Sequence, residues 1–432
     1  MKSLIEKSIE LYKQGQLKPA EKYALKFLKK EPQNAAGYIN LGNIFFLKKE
    51  YAKALENYLK ADTLRQNYYF SKINLANVNE ELGNYDLGIF YAKQALNLKA
   101  DSKLAYQILG ACYMETKKYN DSIASFLHAL KLEPQDPWIY NFLSQSYQKK
   151  GAFDDALKAG WEAVKLSPED DSHHVNFGYL LYECSLEKFD KAAREYAAKW
   201  LHRFGDNGIA QHMAGAILSN QKILKANEKY LQNVFDIFSA DFDNVLKDLD
   251  YQVPALLEHA LGKIYPNSPK LSILDLGCGT GLCGEFLQNY KKWRGLSGVD
   301  ISSKMLAKAE AKKYYDNLYQ SDLEKFIANK KNDYNLMVAA DVFTYIGDLE
   351  KLFLSISRAL KKNGRILFSI SENTLNENGF FLTPSGRFVH NRLYVENLIK
   401  KSGLAPEFFA YKKLRTEGDL PVMGYIISCK KI

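Results

Sequence analysis

The sequence predicts an all-α repeat solenoid followed by a doubly wound, mostly parallel α/β domain. Three observations predict it. The first half repeats with a period of 34 residues, short apolar runs alternate with helical patterns after Leu271, and a glycine-rich turn, "DLGCGTG", follows the first of those runs.

The repeat is legible in columns of small residues. Ser8, Gly42, Ala76, Gly110, Ser144 and Gly178 stand 34 apart, as do Ala20, Ala54, Gly88, Ser122 and Ala156. A third column reads Phe27, Ala61, Ala95, Ala129 and Ala163. Small side chains at fixed spacing let two helix backbones approach closely, while Leu41, Phe45, Tyr58, Leu109, Tyr113, Phe126, Leu143 and Tyr147 fill the space between them. Pro32, Pro134 and Pro168 end the second helix of their units, since proline lacks the helical donor; Gln66 and Ala100 occupy that column in the other two. This register resembles a tetratricopeptide repeat array. Five repeats cover residues 1–170, and a divergent sixth, interrupted near "ECSLEKFD", carries the array to 204. The resemblance implies a concave face that binds a protein or peptide partner.

Composition excludes several classes. A chain of 432 residues exceeds one typical core, and 47% hydrophobic with 25% charged residues describes a soluble globular protein. The charged N-terminus has no apolar h-region, and no run is long enough to span a membrane. Five scattered cysteines argue against a disulfide framework and for a cytoplasmic location, and their spacing suggests no metal site. The net charge of +9 is mostly lysine spread along helical faces, which makes nucleic acid an unlikely partner.

Residues 205–228 read as a helical connection and 229–432 as the α/β domain. Strands are expected at "LSILDLG", "GLSGVD", "NLYQSD", "YNLMVAADV" and "GRILFSIS", with a terminal hairpin from "EFFAYKKLR" and "VMGYIISCKK". Helices are expected at "LCGEFLQNYKK", "SKMLAKAEAKK", "LEKFIANK" and "LEKLFLSISRALKK"; the stretch "FFLTPSGRFVHNRLYVENL" reads as a loop. In the glycine turn, Leu282 stands where a nicotinamide-binding G-x-G-x-x-G would have its third glycine, and no lysine follows as a P-loop requires. The remaining pattern, Asp275, Gly277, Cys278, Gly279, Gly281, resembles the acidic, glycine-alternating loop of S-adenosylmethionine enzymes. Asp300 ends the next strand, where a carboxylate accepts both ribose hydroxyls, with Ile301 beside it. Asp322 and Leu323 follow the third strand, where an acid accepts from the adenine amino group. Ala340 follows the fourth, at the methyl-donating end.

In this order the motifs resemble the class I, seven-strand, Rossmann-like methyltransferases, over about Tyr230 to Ile432. The whole chain resembles bacterial methyltransferases that carry tetratricopeptide repeats. Their relatives imply that aromatic residues of "VFDIFSADFDNVLKDLDYQVPALL" cap the cofactor, which makes Phe235, Phe238 and Phe242 candidates. Many relatives have Tyr at positions 235 and 242, so no hydroxyl contact carries over.

Methyl transfer from a sulfonium needs an aligned nucleophile and sometimes a base. Asp341, Tyr345 and His390 are the candidates for that chemistry, and Arg387 and Arg392 for holding an anion. No [DN]-P-P-[YFW] follows the fourth strand and no Pro-Cys pair occurs there, which disfavours base or glutamine nitrogens and cytosine C5 as acceptors. A small molecule is the expected acceptor. The alternatives are a protein docked by the repeats, or a scaffold whose enzyme domain is inactive.

Overall fold

The computed structural model describes residues 3–432 except 221, 375–378 and 418–419. The chain divides into two compact units, residues 1–180 and 181–432, with the division inside the helix Asp171–Leu186.

The first unit is a run of paired helices. Ala35, Tyr69, Lys103, Pro137 and Asp171 each begin a helix, at intervals of 34 residues, and Tyr51, Tyr85, Tyr119 and Phe153 begin the second helices with the same interval. The small columns are where the helices meet. The Ser8, Ser122 and Ser144 hydroxyls donate to the carbonyls of Ala20, Gly110 and Ala156, at 2.8, 2.7 and 2.8 Å. A Cβ on Gly42 would lie 2.4 Å from the Tyr58 ring, and one on Gly110 2.6 Å from that of Phe126. The small residues therefore make room for the bulky ones of the same unit.

Helices Asp190–Arg203 and Gly208–Ile217, which the sequence assigns to the sixth repeat and the connection, fall within the second unit. His212 of the latter bonds through Nε2 to the Gly386 carbonyl at 2.7 Å and packs on Tyr230 and Phe388.

The second unit is built on a seven-stranded sheet. Its strands are β1 (Leu271–Leu276), β2 (Lys291–Asp300), β3 (Asn317–Gln320), β4 (Tyr334–Ala339), β5 (Leu360–Ser371), β8 (Leu404–Glu417) and β9 (Leu420–Lys431), in the order β3-β2-β1-β4-β5-β9-β8. The first five run parallel, and β9 is antiparallel to both neighbours. Strand faces alternate: Met337 and Ala339 join one core with helices Glu350–Ala359 and Arg392–Lys401, while Leu336 and Val338 join the other with helix Val253–Ile264. A central strand buried on both faces has the near-continuous apolar sequence seen in β4.

Two expectations change. The helix expected after β1 is limited to Gly284–Leu287, because the chain returns to the sheet at Lys291. The stretch read as a loop after β5 contains a two-stranded ribbon, β6 (Phe380–Leu382) with β7 (Phe388–His390), and then helix Arg392–Lys401. No helix among the described residues is long and apolar enough to cross a membrane.

Candidate active site

The strand order reverses at β1, which has β2 on one side and β4 on the other. A crevice opens at the carboxyl ends of strands at such a point, and ligands of doubly wound sheets bind there. The glycine turn lies there, with φ of +63° at Gly277, +53° at Gly279 and +85° at Gly281. L-residues rarely adopt this region, so three glycines in seven positions answer a backbone requirement. A Cβ on Gly277 would also lie 2.6 Å from the Val342 side chain after β4, and one on Gly281 3.0 Å from the Tyr315 ring. At Gly279, among the described residues and apart from its chain neighbours, Phe242 Cε1 is the one atom within 4 Å of such a Cβ, at 4.0 Å. Gly277 and Gly281 thus pack against protein, whereas Gly279 faces an opening bounded by an aromatic ring. We expect Gly277→Ala to lower the unfolding free energy by about 1–3 kcal/mol through backbone strain and the Val342 clash; an unchanged urea midpoint would contradict this.

Asp300 organises the turn. One carboxylate oxygen accepts the Gly279 N–H and the other the Ser302 N–H, each at 2.9 Å. Burial pushes its carboxyl up, and those backbone N–H groups pull it back. Ile301 beside it is half-buried. Cys278 is buried, and its N–H bonds the Val299 carbonyl of β2 at 3.0 Å. Asp275, 1% exposed, accepts from the Tyr315 hydroxyl at 2.7 Å. Its burial raises its pKa to about 7 against the pull of that hydroxyl, with Asp300 adding to the rise. Asp275 therefore supports the turn from within the core.

Asp322 caps helix Leu323–Ile327 by accepting the Lys325 N–H, and its other oxygen accepts from Lys225 Nζ at 2.8 Å. Lys225 also reaches Glu324 at 2.7 Å, and Leu323 is half-buried between the two acids. The backbone around Lys225 pairs with the segment after β4: Ala226 N–H donates to the Tyr345 carbonyl, and Gly347 N–H to that of Leu224.

Phe235 and Phe242 approach edge to face at 6.2 Å between ring centroids, and Phe235 meets Tyr345 in the same way at 5.3 Å. Sequence-predicted residues from three separate segments therefore converge on the Gly279 opening. Ala340 is half-buried at the end of β4.

The other two candidates for the chemistry are committed elsewhere. Asp341, at φ +58°, gives both carboxylate oxygens to Arg415 at 2.8 and 3.1 Å, and Arg415 is 3% exposed. Arg415 also bonds Glu417, to which Arg387 pairs, so Arg387 serves a charge network. Arg392 lies over the Phe409 and Tyr425 rings. His390 is corrected: it is fully buried, with Nε2 at 2.9 and 3.2 Å from the Ile346 and Gly347 carbonyls. Burial lowers its pKa to about 4, so it is a neutral structural donor that ties β7 to the segment after β4.

Sequence reasoning missed Tyr315, Lys225, Asp236, Asp243 and Arg415. A signal for two of them was present: "FD" occurs at 235–236 and again at 242–243.

Comparison with known proteins finds matches in both halves of the chain. Residues 245–405 match a family model described as a methyltransferase domain. Residues 5–68, 71–102 and 104–136 match models described as tetratricopeptide repeats. A malonyl-[acyl-carrier protein] O-methyltransferase of Bacillus anthracis is 26% identical over 33% of this chain and 53% of its own length. One from Ilyobacter polytropus is 31% identical over 30% of this chain and 52% of its own. The chain spans about half the length of the curated relatives it matches. Among solved structures, the magnesium protoporphyrin IX methyltransferase of Synechocystis with bound SAH is 17% identical, covers 48% of this chain and 100% of its own, and has a TM-score of 0.37.

Proposed function

We propose that this chain, which carries tetratricopeptide repeats and a methyltransferase domain, transfers a methyl group from S-adenosylmethionine to a small acceptor bearing a carboxylate. The observation that carries the donor reading is Asp300 bonded to the Gly279 N–H at the strand-order reversal. Each Asp300 oxygen accepts one backbone N–H and keeps a lone pair for a ribose hydroxyl. The opening at Gly279 accommodates the methionine end, and Phe235, Phe242 and Tyr345 exclude water from it. Asp322 and Leu323 border the adenine. When bound, the cofactor supplies a methyl group activated by positive sulfur.

The acceptor reading rests on Asp341 and His390. With Asp341 neutralised by Arg415 and His390 buried, neither removes a proton from an acceptor. A carboxylate is already ionised near neutral pH and needs no base. The relatives' printed name, malonyl-[acyl-carrier protein] O-methyltransferase, carries a malonyl group whose carboxylate fits that chemistry, there borne by a carrier protein. The repeats would bind a protein partner. Phe70, Leu104 and Trp138, each second in its helix and 34 apart, are exposed at 53%, 45% and 42%, which is unusual for such large apolar side chains in register. A second reading, a protein acceptor held by the repeats, is favoured by those same residues.

Two measurements test the proposal. SAH should raise the melting temperature of the full chain, by the equivalent of about 2.7 kcal/mol at a hundred times its dissociation constant, and NAD should not. A shift with NAD alone overturns the donor reading. With methyl-labelled S-adenosylmethionine and fractionated lysate, label should enter small molecules and be released as methanol in alkali. Label in protein bands, stable to alkali, would favour the second reading.

A further inference from the structure

The two Phe-Asp pairs of the aromatic segment do more than present rings. Helix Glu228–Phe238 carries Phe235 and Asp236; helix Phe242–Asp248 carries Phe242 and Asp243. The pairs recur seven residues apart, and each aspartate accepts a hydrogen bond from a hydroxyl at the donor site. Asp236 accepts from the Ser302 hydroxyl at 2.5 Å. Asp243 accepts from the Thr280 hydroxyl at 2.5 Å and pairs with Lys312 at 3.0 Å.

Those two hydroxyls are not arbitrary anchors. Ser302 donates its backbone N–H to Asp300, and its oxygen accepts the Met305 N–H at the start of helix Ser303–Lys312. Thr280 follows Gly279, whose N–H is held by the other Asp300 oxygen. The contacts close a ring. It runs from Phe235 and Asp236 through Ser302 to Asp300, on to Gly279 and Thr280, then to Asp243 and Phe242, whose ring meets Phe235. The opening at Gly279 lies within this ring. Ser302 and Thr280 are 0% and 1% exposed, so both anchoring hydroxyls lie away from solvent competition. Lys308 adds a bond to the Ala240 carbonyl between the two helices.

We propose that Asp236 and Asp243 are positioning residues: they fasten the two aromatic helices to the ribose-binding acid and to the glycine turn, and so set how long the methyl donor stays bound. This rests on the donor reading above. Each aspartate acts through a hydroxyl. Losing either one frees one end of the helix pair and lets Phe235 or Phe242 swing away, while Asp300 keeps its backbone bonds.

The test uses the full-length protein with SAH and two readouts. In stopped-flow measurements, Asp236→Ala and Asp243→Ala should each speed SAH dissociation about tenfold, the loss of one hydrogen bond to a charged group. Asp236→Asn retains an acceptor for Ser302 and should restore the rate to within about twofold. Thr280→Val removes the bond to Asp243 but leaves the Lys312 pair, so it should speed dissociation no more than Asp243→Ala does, and the double variant should be no faster than Asp243→Ala alone. In the protein without SAH, amide exchange in residues 228–248 should rise in both alanine variants, a readout that does not depend on the donor. Unchanged exchange in both variants, or unchanged dissociation with SAH bound, overturns the latch. If the wild type binds no SAH at all, the donor reading fails, and the exchange rates alone decide whether the aspartates fasten the helices.

Discussion

Asp300→Ala is expected to weaken SAH binding by about a hundredfold or more. The carboxylate is the intended acceptor of two ribose hydroxyls, and a hydrogen bond to a charged group is worth about 1.5–3 kcal/mol. The same substitution leaves the Gly279 and Ser302 N–H groups without their acceptor, so the turn loses the bond that fixes Gly279 against β2. The two losses act in the same direction. Asp300→Asn separates them: one amide oxygen retains a backbone donor, while the negative charge and the second acceptor are gone, so its affinity should fall between wild type and alanine. Calorimetry with SAH reads the affinity, and circular dichroism reports whether the sheet survives. Wild-type affinity in a folded Asp300→Ala protein would remove Asp300 from the site.

Much of this arrangement is legible in the sequence, for a physical reason. The repeat columns survive because each close helix approach imposes a small residue every 34 positions, as at Ala20, Ala54, Gly88, Ser122 and Ala156. The glycine turn is legible because positive φ at Gly277, Gly279 and Gly281 leaves few alternatives in composition. The partners of the turn are another matter. Lys225 meets Asp322 across 97 residues, Arg415 meets Asp341 across 74, Tyr315 meets Asp275 across 40 and Thr280 meets Asp243 across 37. A charged residue has the same local signature whether it faces solvent or closes a buried pair, so nothing in "AYKKLRTE" distinguishes Arg415 from its lysine neighbours. The role of His390 is hidden for the same reason. Its type suits catalysis, but its role depends on the carbonyls of Ile346 and Gly347, more than 40 residues earlier.

Acid should destabilise the second unit, and its two buried histidines should dominate the effect. His390 and His212 are 0% and 2% exposed, and each has Nε2 against a backbone carbonyl, so that nitrogen carries the proton. In each, Nδ1 is buried without a hydrogen-bond partner among the described residues. Burial lowers both pKa values to about 4, below the ordinary 6.5 of the unfolded chain. The unfolded state therefore binds protons that the folded state refuses. The stability they contribute is complete above about pH 6.5 and is lost as the pH falls towards 4. Between pH 7 and pH 5 each histidine should cost about 2 kcal/mol. Asp275 works in the opposite sense. Its folded pKa of about 7 exceeds the unfolded value, so its protonation on acidification restores about 2 kcal/mol over the same interval. Two histidines against Asp275 leave a net loss of about 1–2 kcal/mol, which Asp300, whose carboxyl burial also pushes up, reduces. Asp243 and Glu417, whose carboxyls are held low by Thr280 and Lys312 and by Arg387 and Arg415 against the opposing effect of burial, add to the loss at lower pH. Urea denaturation at pH 7 and pH 5 measures the balance. His390→Gln, which can still donate to the Ile346 carbonyl, should shrink the loss by about 2 kcal/mol, whereas Asp275→Asn should deepen it by about as much. Opposite responses of the two variants are the signature expected; a pH dependence that neither variant alters would mean that these buried groups already titrate at their unfolded values.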